Sequence, residues 1–202
     1  MTMLNAVERA VVNNPLRAAV QRHVEARWML KHGGDVHGGH ALEIGCGQGI
    51  GTELILERFG AARVDAFDLD PKMVERARRR VGNNPHVRLS VGDASRIDAP
   101  DATYDAVFDF AIVHHIPRWR DALCEVHRVL RPGGRFFVEE VLRAFILHPI
   151  SRCLFDHPLE DRFDARQLEQ ALVATGFRII AATSLPGVLA WMVAEKNEVA
   201  HV

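Results

Sequence analysis

The sequence predicts an α/β protein: a doubly wound, mostly parallel seven-stranded sheet with helices on both faces and a C-terminal antiparallel hairpin, a Rossmann-like arrangement. Three observations carry this expectation. From residue 40 onward, short apolar runs alternate with segments of helical periodicity. A glycine-rich turn, Glu43-Ile44-Gly45-Cys46-Gly47-Gln48-Gly49, separates the first such run from the helix after it. The last two strand-like segments are joined only by Leu185-Pro186-Gly187, a length suited to a hairpin.

Taken in order, HALEIG (40–45) is a short apolar run closed by glycine, and GIGTELILERFG (49–60) has helical spacing with Gly60 as its stop. ARVDAFDLD (62–70) reads as the second strand. PKMVERARRRVG (71–82) reads as a helix with Pro71 at its first position, Gly82 past its end and Asp70 placed to cap it. VRLSV (87–91) and YDAVFDF (104–110) are strands three and four. A helix from about Arg118 to Leu130 stops at Arg131-Pro132-Gly133-Gly134, and RFFVEEV (135–141) follows as strand five. ARQLEQALVATG (165–176) is a further helix ended by glycine, before the two hairpin strands.

Composition limits the function classes. The 202 residues are 48% hydrophobic and 25% charged, the balance of one globular domain spanning 1–202. With 25 basic and 26 acidic side chains the formal net charge is -1, which argues against a protein built to coat nucleic acid. Eleven histidines make that charge sensitive to pH below neutrality. Three cysteines at irregular spacing form neither a disulfide framework nor a zinc ribbon and suit a reducing compartment. Glu8 and Arg9 interrupt any signal-like apolar stretch, and no run approaches the ~18 apolar residues of a membrane span. The expectation is a cytoplasmic protein.

Ligands of such sheets bind at the carboxyl ends of the strands, so the glycine turn is the first candidate site. The dinucleotide fingerprint fails there: counted from Gly45 it requires glycine where Ile50 stands, and from Gly47 where Thr52 stands. No Gly-Lys-Ser/Thr follows, which excludes a nucleoside-triphosphate loop. What remains is an acid followed by three alternate glycines. Asp68, at the end of the second strand, stands where an aspartate accepts hydrogen bonds from both hydroxyls of a ribose. A ribose without a pyrophosphate cradle points to an adenosine ligand that carries something other than phosphates.

Five ordered motifs, ALEIGCGQG, VDAFDLDPKMVERAR, VRLSVGDA, YDAVFDFAIVHHI and RVLRPGGRFFVEE, cover residues 40–140. In them the chain resembles the class I S-adenosylmethionine-dependent methyltransferases, small-molecule (type 11) branch. The resemblance implies S-adenosylmethionine as cofactor, held by the turn Glu43, Gly45, Cys46, Gly47, Gln48 and Gly49, with Asp68 on the ribose. It further implies Leu69 and Met73 against the adenine, Asp93 on its exocyclic amine, and Ala94 and Phe110 nearby. On composition alone Asp93 reads as a turn aspartate and Cys46 as a small packing residue.

The sulfonium cofactor is an activated electrophile, so alignment and water exclusion are the main tasks, and a base is needed only for a protonated acceptor. Candidates for that base are Asp109, His114 and His115, after strand four. Asp109 either acts on the acceptor or caps a turn; of the adjacent histidines, one at most faces the methyl group. Of Glu139 and Glu140, one is expected to line the pocket and the other to face solvent. His32, Asp35, His37 and His40 sit in a glycine-rich linker with no fixed ligand geometry, and no metal is expected. Arg76, Arg78, Arg79 and Arg80 read as a solvated helix face.

Substrate choice is assigned to two variable parts. In segment 1–32, Leu16, Val20, Val24 and Trp28 recur every four residues with Arg17, Arg22, Arg27 and Lys31 on the flanks. That stripe predicts a helical lid packed on its own domain, with contact to an anionic membrane surface as the alternative. In the insertion 141–164, Phe145, Ile146, Leu147, His148 and Phe155 are expected either to roof a small apolar or aromatic acceptor or to form the core of a lid that touches none. No nucleic-acid partner is expected. The rivals are a lipid or quinone methyltransferase, a cofactor-binding module without catalysis, and a nicotinamide-dependent oxidoreductase, which the failed fingerprint disfavours.

Overall fold

The computed structural model describes residues 14–154 and 157–197. Glu8, Arg9 and Phe155 lie outside the described residues. Seven strands run β1 (His40–Ile44), β2 (Arg63–Asp68), β3 (Val87–Val91), β4 (Tyr104–Phe110), β5 (Leu130–Val141), β6 (Phe177–Leu185) and β7 (Leu189–Lys196). They form one sheet in the order β3-β2-β1-β4-β5-β7-β6. Strands β1 to β5 are parallel to one another, and β7 runs antiparallel between β5 and β6. Strand order reverses between β1 and β4, which opens a crevice at their carboxyl ends.

Two cores cover the two faces. Alternate residues of β5 divide between them: Phe136 and Val138 enter one, Phe137 the other. The first core is closed by α5 (Trp119–Val129) and α8 (Ala165–Thr175), through Trp119, Leu123, Val126, Leu168 and Leu172. The second is closed by α2 (Ala26–Gly33), α3 (Ile50–Glu57) and α4 (Pro71–Val81), through Met29, Leu54, Ile55 and Ala77. Phe108 stacks on Phe137 at 4.6 Å there, while Phe59 meets Phe108 edge-on at 4.7 Å. Asp70 caps α4 by accepting the Lys72 N–H, and Asp164 with Gln167 forms a reciprocal capping box on α8.

Two expectations are corrected. Strand β5 begins at Leu130, five residues earlier than the motif suggests; Leu130 pairs with Tyr104, and the ladder resumes at Ala106 and Arg135 after an irregularity. The N-terminal helix turns a different face inward. It consists of α1 (Pro15–Val20), a π-helical turn (Gln21–Glu25) and α2, and it buries Gln21, Glu25, Ala26, Met29 and Gly33. Val20 and Val24 of the expected stripe are 38% and 55% exposed. The π turn takes up an extra residue per turn, which displaces a stripe spaced at four. At the C-terminal end of α2 the backbone approaches the sheet so closely that a Cβ on Gly33 would stand 2.9 Å from Val193.

Two short helices, α6 (Arg143–Ile146) and α7 (Pro149–Leu154), follow β5. Among the described residues of the expected roof only Ile146 is buried; Phe145 and Leu147 are 36% and 38% exposed, and His148 is exposed.

Candidate active site

The glycine turn is built from backbone that other residues could not supply. Gly45, Gly47 and Gly49 have φ of 72°, 52° and 85°, the left-handed region. A Cβ on Gly45 would also collide with Ile112, whose Cβ would be 2.9 Å away. A Cβ on Gly47 would meet no protein atom within 4 Å and would enter open space. Cys46 N–H donates to the Phe67 carbonyl at 2.8 Å, which ties the turn to β2. Asp68 completes the tie: Oδ2 accepts the Gly47 N–H and Oδ1 the Asp70 N–H, each at 2.9 Å.

Beside this turn lies a cleft of about 650 Å³, open mouth included, lined by Arg17, Gln21, Glu43, Gly45, Cys46, Gly47, Gln48, Ile50, Gly51, Asp68, Phe110, Ala111, Ile112 and His115. A wider one of about 940 Å³ lies at the opposite ends of the strands, near His40, Arg63, Val87 and Tyr104. The smaller cleft sits at the carboxyl ends, where this architecture places ligands. It brings together Glu43, Gly45, Cys46, Gly47, Gln48, Asp68, Phe110 and His115 from the sequence-derived set. Gly49, Leu69, Met73, Asp93 and Ala94 are not among its lining residues: Gly49 caps α3, Met73 and Ala94 are buried, and Asp93 Oδ1 accepts from Ser95 N–H and O–H, both at 2.8 Å.

Asp109 and His114 do not line the cleft either. Asp109 is fully buried, and its Oδ1 accepts the Ile112 N–H at 2.9 Å, so it braces the turn after β4. This is the turn-capping geometry that the sequence leaves open beside contact with an acceptor. That turn also holds Ala111 at φ 65°, a left-handed conformation rare for a residue with a Cβ, right at the cleft wall. Of the two histidines, His115 faces the cleft, while His114 donates from Nδ1 to Glu140 at 2.7 Å.

Neither Glu139 nor Glu140 faces solvent, contrary to expectation; both are buried at the carboxyl end of β5. Arg17, read from the sequence as flanking the apolar stripe, bridges Glu25 at 2.7 Å and Glu139 at 2.6 Å. Burial, reinforced by Glu25, pushes the Glu139 carboxyl well above its usual range despite Arg17. Burial and the adjacent Glu140 carboxylate push Asp109 up as well. Burial raises Glu140 to about 7, against hydrogen bonds that favour its charged form. Glu43, bound by the Thr52 hydroxyl, is raised to about 8 by burial. Burial, with His114 and His157 beside it, holds His115 well below the ordinary imidazole value, hence neutral.

Sequence reasoning missed Arg17, Gln21, Ala111, His157 and Arg162. Arg162 is buried and donates to the carbonyls of His114 and, at 3.1 Å, Ile116. A buried arginine in an apolar insertion is a signal only when its carbonyl partners are known. The four residues of the histidine-rich linker are separated: His32 binds the Trp28 carbonyl, His40 sits in β1 beside Arg63 and Asp65, and His37 is exposed. Arg76, Arg78, Arg79 and Arg80 are exposed on α4.

A glycine turn after β1, an acid closing β2, and a sheet that ends in a reversed hairpin define the Rossmann-like methyltransferase fold. A methyltransferase from Aquifex aeolicus described as SAM-dependent superposes with a TM-score of 0.73 over 96% of this chain and 99% of its own, at 18% identity. Residues 42–138 match the family model described as "Methyltransferase domain". Over those residues, just under half of the chain, the match supports a class I S-adenosylmethionine-dependent methyltransferase of the type 11 branch. The chain is similar to a fatty-acid O-methyltransferase of Mycolicibacterium smegmatis, 36% identical over 62% of this chain and 46% of that protein. It is equally similar to a demethylmenaquinone methyltransferase of Symbiobacterium thermophilum, 36% identical over 54% of this chain and 45% of that one. The chain spans about half the length of the curated relatives it matches. The cofactor that family and fold imply is S-adenosylmethionine.

Proposed function

We propose that this chain transfers the methyl group of S-adenosylmethionine to a small apolar or aromatic acceptor by in-line displacement. The observation that carries the proposal is the cleft, in which a left-handed glycine turn and the Asp68 carboxylate form one wall and His115 stands on the other. The residues present suit the cofactor: Gly47 leaves open space where a side chain would intrude, and Asp68 retains acceptor capacity beyond its two backbone bonds. When bound, the sulfonium supplies an activated methyl group.

The protein's part is positioning. Gly45, Cys46 and Gly47 would hold the methionine portion along the backbone and Asp68 the ribose hydroxyls; Leu69, Met73, Asp93 and Ala94, which lie outside the cleft lining, are the residues that the resemblance assigns to the adenine. His115, neutral and facing the cleft, orients the acceptor and takes a proton from one that arrives protonated. The helix carrying Arg17 and Gln21 acts as a lid, held down by the ion pair to Glu139. An apolar acceptor agrees with relatives named for fatty acids and demethylmenaquinone.

Exposed Phe145, Leu147, Ile150 and Leu154 on the insertion, with Val20 and Val24 on the N-terminal helix, favour a second reading in which the acceptor is a lipid or quinone taken from a membrane surface. No helix among the described residues is long and apolar enough to cross a membrane. Free Cys46, Cys124 and Cys153 support a cytoplasmic location.

The test is calorimetric titration with S-adenosylhomocysteine, with reduced nicotinamide dinucleotide as control, followed by labelled methyl transfer to fatty acids and quinols with and without vesicles. Binding of the first ligand alone and turnover with an apolar acceptor are the expected results. No binding of S-adenosylhomocysteine would overturn the cofactor assignment, and binding without turnover on any acceptor would leave a binding module.

A further inference from the structure

Behind the cleft wall, three imidazoles converge from two separate parts of the chain. His114 and His115 stand on the 3-10 turn after β4 (Val113–His115), and His157 comes from the segment between α7 and α8. One potential ligand nitrogen from each lies within 4.8 Å of the other two. Ring centroids are 4.2, 4.8 and 5.2 Å apart. His114 and His115 are buried and His157 is half-buried.

Glu140 settles how His114 is presented. Its carboxylate accepts the backbone N–H of Val113 at 2.6 Å and of His114 at 3.1 Å, so it acts as an acceptor. The 2.7 Å contact to His114 is then an Nδ1–H donating to Glu140, and Nε2 carries the lone pair. An imidazole whose far nitrogen donates to a buried carboxylate is the arrangement that orients and strengthens a metal-ligating histidine.

We propose that His114, His115 and His157 bind one divalent transition ion of the zinc class, with Glu140 as the positioning residue behind His114. Three imidazole nitrogens, with no carboxylate in the group among the described residues, select zinc, cobalt or nickel over magnesium or calcium. Three protein ligands also leave one position of a tetrahedral ion for an outside group. Because His115 lines the cleft, that position adjoins the face assigned to the acceptor. Arg162, bound to the His114 carbonyl, opposes the ion's charge, and Glu140 offsets it. The site rests on the three imidazoles and not on the cofactor; with an ion bound, His115 gives its lone pair to the metal and no longer serves as the proton acceptor of the methyl-transfer reading.

The experiment titrates the metal-free full chain with Co²⁺ by visible absorption and with Zn²⁺ by calorimetry. One ion per chain is expected, with the strong band of four-coordinate cobalt and no competition from Mg²⁺. His157→Ala should abolish the band, whereas His37→Ala, in the exposed histidine-rich linker, should leave it unchanged. Glu140→Gln should weaken binding about tenfold or more. Zinc should also shield the three imidazoles from a histidine-acylating reagent in the unsubstituted chain, a reading that needs no variant to fold. Absence of stoichiometric uptake, equal affinity in His157→Ala, loss of binding in His37→Ala, or no shielding would each overturn the site. S-adenosylhomocysteine affinity, measured on the same samples, reports separately on the cofactor.

Discussion

On one side of the cleft the wall is backbone. Gly45, Gly47 and Gly49 hold left-handed conformations, and a single carboxylate, Asp68, ties the turn to β2 and α4. On the other side Arg17 and neutral His115 line the cleft, backed by buried carboxylates: Glu25 and Glu139 hold Arg17, and Glu140 gathers three N–H donors. The first wall derives its shape from steric limits on φ and resists change of any kind. The second derives it from charge balance among distant segments, so its stability depends on pH and on each partner being present.

The largest expected effect breaks the backbone wall. Gly45→Ala must hold a Cβ at φ 72° against Ile112. The left-handed strain and the overpacking together cost about 3 kcal/mol or more, seen in urea unfolding and as lost S-adenosylhomocysteine affinity. An alanine variant that binds normally would show that the turn is not held by its glycines. Next comes Asp68→Ala, expected to weaken S-adenosylhomocysteine binding by about 1.5–3 kcal/mol. Affinity lost with stability retained assigns the carboxylate to the ligand; parallel loss of both assigns it to the turn. Unchanged affinity removes Asp68 from the site.

The opposite wall predicts a smaller effect with a pH signature. Glu139's folded pKa is raised above its ordinary 4.5, so its favourable contribution is complete below that value and declines as pH rises. Arg17 limits the decline. In Arg17→Leu two buried carboxylates face each other without a cation, and the deficit against the unsubstituted chain should grow from pH 4.5 upward. Because Arg17 is part-exposed, about 1–2 kcal/mol at neutral pH is the expected scale, rather than the larger cost of a fully buried pair. A pH-independent deficit would mean that Arg17 acts through packing alone.

These two walls also differ in how far the sequence discloses them. Every determinant of the glycine turn lies within a few residues or at the end of the adjacent strand: three alternate glycines, Asp68, and Asp70 before Pro71. The succession of strands and helices and the hairpin were legible for the same reason, since the alternation and the turn residues are local. Arg17 and Glu139 are 122 residues apart, and nothing local marks either as buried. The sequence leaves Asp109 between two roles because a strand-end carboxylate looks alike whether it meets a ligand or caps a turn; the Ile112 N–H that it accepts is not marked in the sequence. His157 and Arg162 acquire meaning only from the 3-10 turn against which the insertion folds.

The smallest effect tests the rotation of the N-terminal helix, on which the charged wall depends. A regular helix carrying Leu16, Val20, Val24 and Trp28 inward would turn Arg17 and Glu25 toward its flanks. The π turn at Gln21–Glu25 instead brings Gln21, Glu25 and Met29 inward and leaves Val24 55% exposed. Val24→Ser should therefore change stability by no more than about 0.5 kcal/mol, the usual range for an exposed position. Met29→Ala, at a fully buried site, must cost clearly more in the same urea titration. The reverse order would restore the four-residue stripe as the buried face. Arg17 would then be displaced from Glu139, and the lid would need a different anchor, because the same rotation that exposes Val24 delivers the guanidinium to the cleft.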